Sequence, residues 1–98
     1  MEQRRNQRFE LRLPLQIIGG AVPVSLGETR NVSSCGVLFT AETTVAIGEA
    51  IEYMITLPKA KGARIDVRLR CVGKVVRADD DSKFAATLER YEFVREKV

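Results

Sequence analysis

The side chains able to do chemistry in this chain are mostly arginines. Arg4, Arg5, Arg8 and Arg12 crowd the start, and no lysine precedes Lys59. Arginine supplies eleven of the sixteen cations. A guanidinium is a planar fork of donors that meets phosphates and guanine edges two bonds at a time, whereas an ammonium is a point charge. Arg4 and Arg8 form an R-x-x-x-R pair, and Arg8/Arg12 and Arg64/Arg68 repeat the spacing. Composition alone yields roughly 1.2 such pairs, so the spacing by itself carries little. A solvated tail accounts for the cluster equally well.

A second constellation is rarer. Asn31-Val32-Ser33-Ser34-Cys35-Gly36 fits the pattern Asp/Asn-x-Ser-x-x-Gly, for which composition yields roughly 0.02 matches. It joins two alternating apolar segments. Asn, Ser and Gly are also ordinary turn residues, and a plain turn is the simpler account of the motif taken alone.

The missing residues narrow the chemistry further. There is no histidine, so there is no imidazole base, no Ser-His or Cys-His dyad and no Cys₂His₂ zinc site. No phosphate-binding glycine loop and no acidic pair at a recognisable spacing occur. Asp79-Asp80-Asp81 reads as a solvated turn. The expectation is a protein that is not an enzyme and carries no cofactor or metal. Cys35 and Cys71 each sit among apolar neighbours and read as small core residues in a reduced compartment, not as a disulfide. The segment MEQRRNQRFE is charged and lacks the apolar stretch of a secretory leader. No apolar run approaches a membrane span. A cytoplasmic location is expected, with no membrane insertion.

Ninety-eight residues make one small domain, and 45% hydrophobic content supports a packed core. The pattern is mostly period two. Leu11, Leu13, Leu15 and Ile17 alternate with Arg12, Gln16 and Ile18, which places Arg12 inside a strand and makes Arg4/Arg8 the preferred pair. Gly19-Gly20 reads as a hairpin turn, followed by Val22, Val24 and Leu26. Val37, Phe39 and Ala41 form the next run, then Ile51, Tyr53, Ile55 and Leu57. Ile65, Val67, Leu69 and Cys71 alternate up to Gly73, where the phase slips as at a β-bulge. Phe84, Ala86 and Leu88 close the series. Residues 89–98 place Tyr91, Phe93, Val94 and Val98 at helical spacing. About six short strands and one terminal helix imply an all-β barrel or sandwich.

Taken together, the two motifs resemble those of the PilZ domain family, and the resemblance covers nearly the whole chain. Arg8-Phe9-Glu10-Leu11-Arg12-Leu13-Pro14-Leu15 looks like the family's entry into its first strand. Gly36-Val37-Leu38-Phe39 looks like the continuation of its second motif, and Gly73-Lys74-Val75-Val76-Arg77 like its late G-x-V-V-R strand. The resemblance implies a six-stranded antiparallel split barrel with a short C-terminal helix. Residues 1–98 would form a single domain, with an Arg-rich arm at 1–9, a barrel at 10–88 and the helix at 89–98. It also implies a receptor for the bacterial second messenger cyclic di-GMP that relays binding to a protein effector. Arg4 and Arg8 would grip the ligand with Arg5 as an accessory. Asn31, Ser33 and Gly36 would form the other half of the site, and Arg30 is a further candidate for phosphate. Asn31 stands where Asp is also common, and Gln3 precedes Arg4, which leaves one or two ligands per site open.

Two rivals remain. A small basic barrel can bind RNA or single-stranded DNA by stacking bases on surface aromatics. Here Phe9, Phe39, Phe84 and Phe93 read as core, and a net charge of +3 is modest for that role. The other rival is a PilZ-like adaptor that binds no nucleotide, against which the retained motif residues argue.

Overall fold

The computed structural model describes residues 9–20, 24–59, 61–79 and 82–97. They form seven strands: β1 (Pro14–Gly20), β2 (Ser25–Val32), β3 (Gly36–Ala41), β4 (Ala50–Thr56), β5 (Ile65–Ala78), β6 (Lys83–Thr87) and β7 (Arg90–Lys97). The order is β4-β1-β2-β3-β6-β5-β7, and β4 also pairs with β5. That last pairing closes the first six strands into an antiparallel barrel. Closure removes the open sheet edges that a flat six-stranded sheet would expose.

Alternation decides which side chains fill the barrel. Val37, Phe39 and Ala41 of β3 are buried, as are Ile51, Tyr53 and Ile55 of β4, while their sequence neighbours face outward. Phe39 stacks on Tyr53 at a centroid distance of 6.2 Å and meets Phe84 at 5.8 Å. Burying each such ring removes apolar surface worth roughly 2–3 kcal/mol from water. Val45, in the loop after β3, is 1% exposed and belongs to the same core cluster. That loop is tied to β5 by Gly48 N–H to Val75 O and Val75 N–H to Glu49 O.

Several expectations are corrected. Residues 90–97 form a strand, not a helix, pairing with β5 from Ile65↔Lys97 to Val72↔Arg90. The reason is an available partner. β6 covers only Val75–Ala78 on that edge of β5, which leaves the backbone of Ile65–Val72 to be satisfied. Tyr, Phe and Val favour a strand that can fill such an edge, and a helix of ten residues has little stability of its own. Gly19 and Gly20 do not form the turn after β1. They continue it along β4, opposite Glu52 and Ile51, beyond a register shift at Ile18. Val24 and Leu26 point outward and are more than half exposed, whereas Ser25 and Thr29 are buried. Val22 lies outside the described residues. Gly73 keeps the phase of Cys71 and Val75, all three facing inward; the register shift comes later, between Val75 and Arg77. A Cβ on Gly73 would lie 1.8 Å from the Thr87 carbonyl oxygen, so close strand approach is what glycine permits there.

Phe9 and Phe93 are 53% and 58% exposed, so only two of the four phenylalanines are core. Cys71 is buried, but Cys35 lies exposed on a turn. Among the described residues, no helix is long and apolar enough to cross a membrane.

Candidate functional site

The rare motif builds the β2–β3 hairpin. Asn31 and Val32 end β2, Ser33 to Cys35 turn, and Gly36 opens β3. Ser33 is buried at 7% exposure. Its backbone N–H donates to Gly36 O at 2.9 Å, and its Oγ accepts from the N–H groups of Cys35 and Gly36, both at 3.2 Å. These bonds make Ser33 the internal tie of the turn, the familiar role of serine in short loops. Gly36 has no positive φ. A Cβ there would sit 2.8 Å from Ala86 O, so glycine admits the neighbouring strand β6.

The outer surface beside this hairpin carries a groove of about 560 Å³ lined by Glu10, Arg12, Arg30, Asn31, Leu38 and Lys83. Three of these are cations and one is a carboxylate. Each is placed by local backbone logic. The β2–β3 register shifts between Thr29 and Asn31, which makes Arg30 the extra residue of a bulge and re-aims its side chain. Asn31 pairs with Leu38. Leu38 and Lys83 face outward because their neighbours Phe39 and Phe84 face in. The Arg30 Nε is buried and has no hydrogen-bond partner among the described residues. Buried donors are nearly always satisfied, so such an orphan needs explaining.

Arg12 is set by the segment 9–13, which continues β1 along the outer half of β2. Phe9 and Val32 exchange two backbone bonds of 2.9 Å. Between Phe9 and β1 the ladder is bridged by a side chain. Thr29, fully buried, donates from Oγ1 to Leu11 O and accepts from Leu13 N–H. Arg12 therefore precedes β1 instead of lying within it. It stays mostly exposed, 3.7 Å from Glu28, a separation and exposure at which an ion pair is weak.

Of the expected site residues, Arg30 and Asn31 line the groove. Ser33 and Gly36 stand beside it, lining a separate outer recess of about 230 Å³ with Val76 and Arg77. Arg4, Arg5 and Arg8 lie outside the described residues. Arg12, set aside in the sequence in favour of the Arg4/Arg8 pair, joins the groove, and so does Lys83, which was not singled out. Pro14 was the available sign for Arg12, since proline in a sheet favours the first position of a strand. Lys83 follows from the inward phase of Phe84 and Ala86. No curated protein matches the chain. A family model described as PilZ domain matches residues 2–96; together with the closed antiparallel barrel and its Asn-x-Ser-x-x-Gly hairpin, this places the chain in the PilZ domain family.

Proposed function

We propose that this PilZ domain is a non-enzymatic receptor for cyclic di-GMP and that the ligand sits in the groove over Arg12, Arg30 and Asn31. The supporting observation is the groove itself: three cations around one carboxylate, with the orphaned Arg30 Nε beside them. Cyclic di-GMP brings two phosphate charges and two guanines. A guanidinium clamps a phosphate or bonds guanine O6 and N7, and the Asn31 amide oxygen accepts from guanine N–H groups.

The anchoring of Phe9 on Val32 favours Arg8/Arg12 as the clamping R-x-x-x-R pair. Phe9 is held on Val32 by two backbone bonds of 2.9 Å, and Arg8 precedes it directly in the sequence. Arg4 and Arg5 then add further contacts from the same arm. Ser33 and Gly36 serve by shaping the turn. The exposed Tyr91 and Phe93 are a weaker platform for single-stranded nucleic acid. Their rings meet edge to face at 88°, and the charges of β7 alternate in sign, whereas such proteins use a basic track with stacked bases.

The test is titration calorimetry with cyclic di-GMP. Arg8→Ala, Arg12→Ala and Asn31→Ala should each weaken binding about tenfold or more, equivalent to roughly 1.4 kcal/mol, and added salt should weaken it further. Equal heats from GTP or an unrelated oligonucleotide, or indifference to both arginine changes, would overturn the reading. For the relay, amide exchange of residues 1–9 should slow on binding; unchanged exchange rejects an arm that closes over the ligand.

A further inference from the structure

The rows of the barrel core do not stop at the barrel. Ile17, Tyr53, Cys71 and Tyr91 lie side by side across β1, β4, β5 and β7, and so do Leu15, Ile55, Leu69 and Phe93. Opposed residues of antiparallel strands share a face. In each row the β1 and β4 members are buried, but the last members, Tyr91 and Phe93, are 60% and 58% exposed. The outer edge of β7 has no strand beside it among the described residues. Natural edges are usually blunted by proline, a bulge or shortness. β7 has eight residues, no proline and no register shift against β5.

What guards β7 is charge, and that guard depends on register. Pairing with its own copy about a twofold axis perpendicular to the sheet requires antiparallel registers in which opposed residues share a face. Four such registers overlap five residues or more of Arg90–Lys97. Centring on Glu92 sets that carboxylate against itself. Centring on Val94 opposes Glu92 to Glu96. Centring on Arg95 opposes that arginine to itself. Centring on Phe93 instead opposes Arg90 to Glu96 and Tyr91 to Arg95, each twice, with Glu92 against Val94 and Phe93 against its mate. Opposite charges and cation–aromatic pairs stabilise a sheet, and like charges directly opposed destabilise it.

We infer that β7 is a homodimerisation edge, pairing antiparallel with β7 of a second copy in the register centred on Phe93. The pairing covers Tyr91 and Phe93 between the two barrels and satisfies both strand edges. The occupant is a second copy because the complementarity is a property of the strand toward itself. The inference is independent of nucleotide binding.

Sedimentation equilibrium on residues 1–98, over micromolar to submillimolar concentrations, should show mass rising toward twice 11.0 kDa. Arg90→Glu should raise the dimer dissociation constant about tenfold, since two symmetric pairs change. Glu96→Arg should do the same, and the double exchange should recover most of the affinity. Glu96 also meets Arg68 at 2.9 Å, so thermal unfolding of each variant separates lost folding from lost pairing. A second measurement does not depend on those charges. In a Cys35→Ser background, Phe93→Cys should cross-link to itself on oxidation. Tyr91→Cys and Arg95→Cys should cross-link with each other and not with themselves. A monomer at every concentration, a double exchange no better than the singles, or cross-linking indifferent to position would overturn the inference.

Discussion

At Ser33 the hydroxyl is occupied by its own turn, while at Arg12 the charged group faces the groove. The two substitutions should therefore separate folding from binding. Ser33→Ala leaves two backbone N–H groups without their acceptor and should lower stability by about 1–2 kcal/mol, read from the urea midpoint. Arg12→Ala removes an exposed, weakly paired side chain and should leave that midpoint within about 0.5 kcal/mol, while cyclic di-GMP affinity falls. Gly73→Ala is the severe case. Its Cβ would meet a backbone carbonyl that already accepts the Tyr53 hydroxyl at 3.0 Å. Neither partner can swing aside as a surface side chain would, so a loss of about 3 kcal/mol is expected. In the sequence glycine was visible at residue 36 as part of a motif and at residue 73 only as an apparent phase slip, which the register places elsewhere. The reason for glycine at both, close approach of β6 and of Thr87, was not visible, because those contacts join residues far apart in the chain.

Among the elements, segment 9–13 shows how one buried hydroxyl can reinforce a ladder. Thr29 Oγ1 adds two bonds beside the backbone bond from Thr29 N–H to Leu13 O at 2.9 Å, and the chain they hold carries Arg12. Thr29→Val keeps the shape and removes the bridge. It should cost about 1–3 kcal/mol and speed amide exchange at Leu13, and Thr29→Ser should restore both. Alternation made β3, β4 and the inward half of β5 legible. It misled at β2, where the buried phase is held by Ser25 and Thr29 instead of Val24 and Leu26. Ser25 Oγ accepts from Thr43 N–H at 3.1 Å, and no periodicity of apolar residues signals a core position held by hydrogen bonds. β7 was misread for a different reason. Tyr91 and Phe93 fit two periods, and what decides between them is the edge of β5 left uncovered beyond β6.

For the molecule as a whole, closure of the barrel seals two weak acids inside. Burial pushes the Cys71 thiol from 9.0 up to about 12. Tyr53 is raised as well, by burial first and then by the neighbouring Cys71 and Glu89. A group whose folded pKa is raised contributes stability that is complete below its unfolded pKa and drains away above it. The fold should accordingly hold its stability through neutral pH and lose it from about pH 9 toward 12, as the unfolded thiol and then the phenol ionise. Urea midpoints measured across that window check this, and Cys71→Ala should flatten the first part of the fall. A midpoint independent of pH there would reject it. The all-β class and the hairpin of the groove were legible from alternation and one rare motif. That Arg12 lines the groove was not, because it turns on where β1 begins.

The unequal fate of the two thiols has a practical side. A maleimide dye offered to the folded protein has one accessible sulfur, Cys35, since Cys71 is sealed and protonated. Cys35 sits in the turn between Ser33 and Gly36, and its carbonyl holds Leu88 N–H at 2.9 Å. A fluorophore there becomes an optical gauge on the hairpin that flanks the groove, placed by nature on a chain that needs no engineered attachment point.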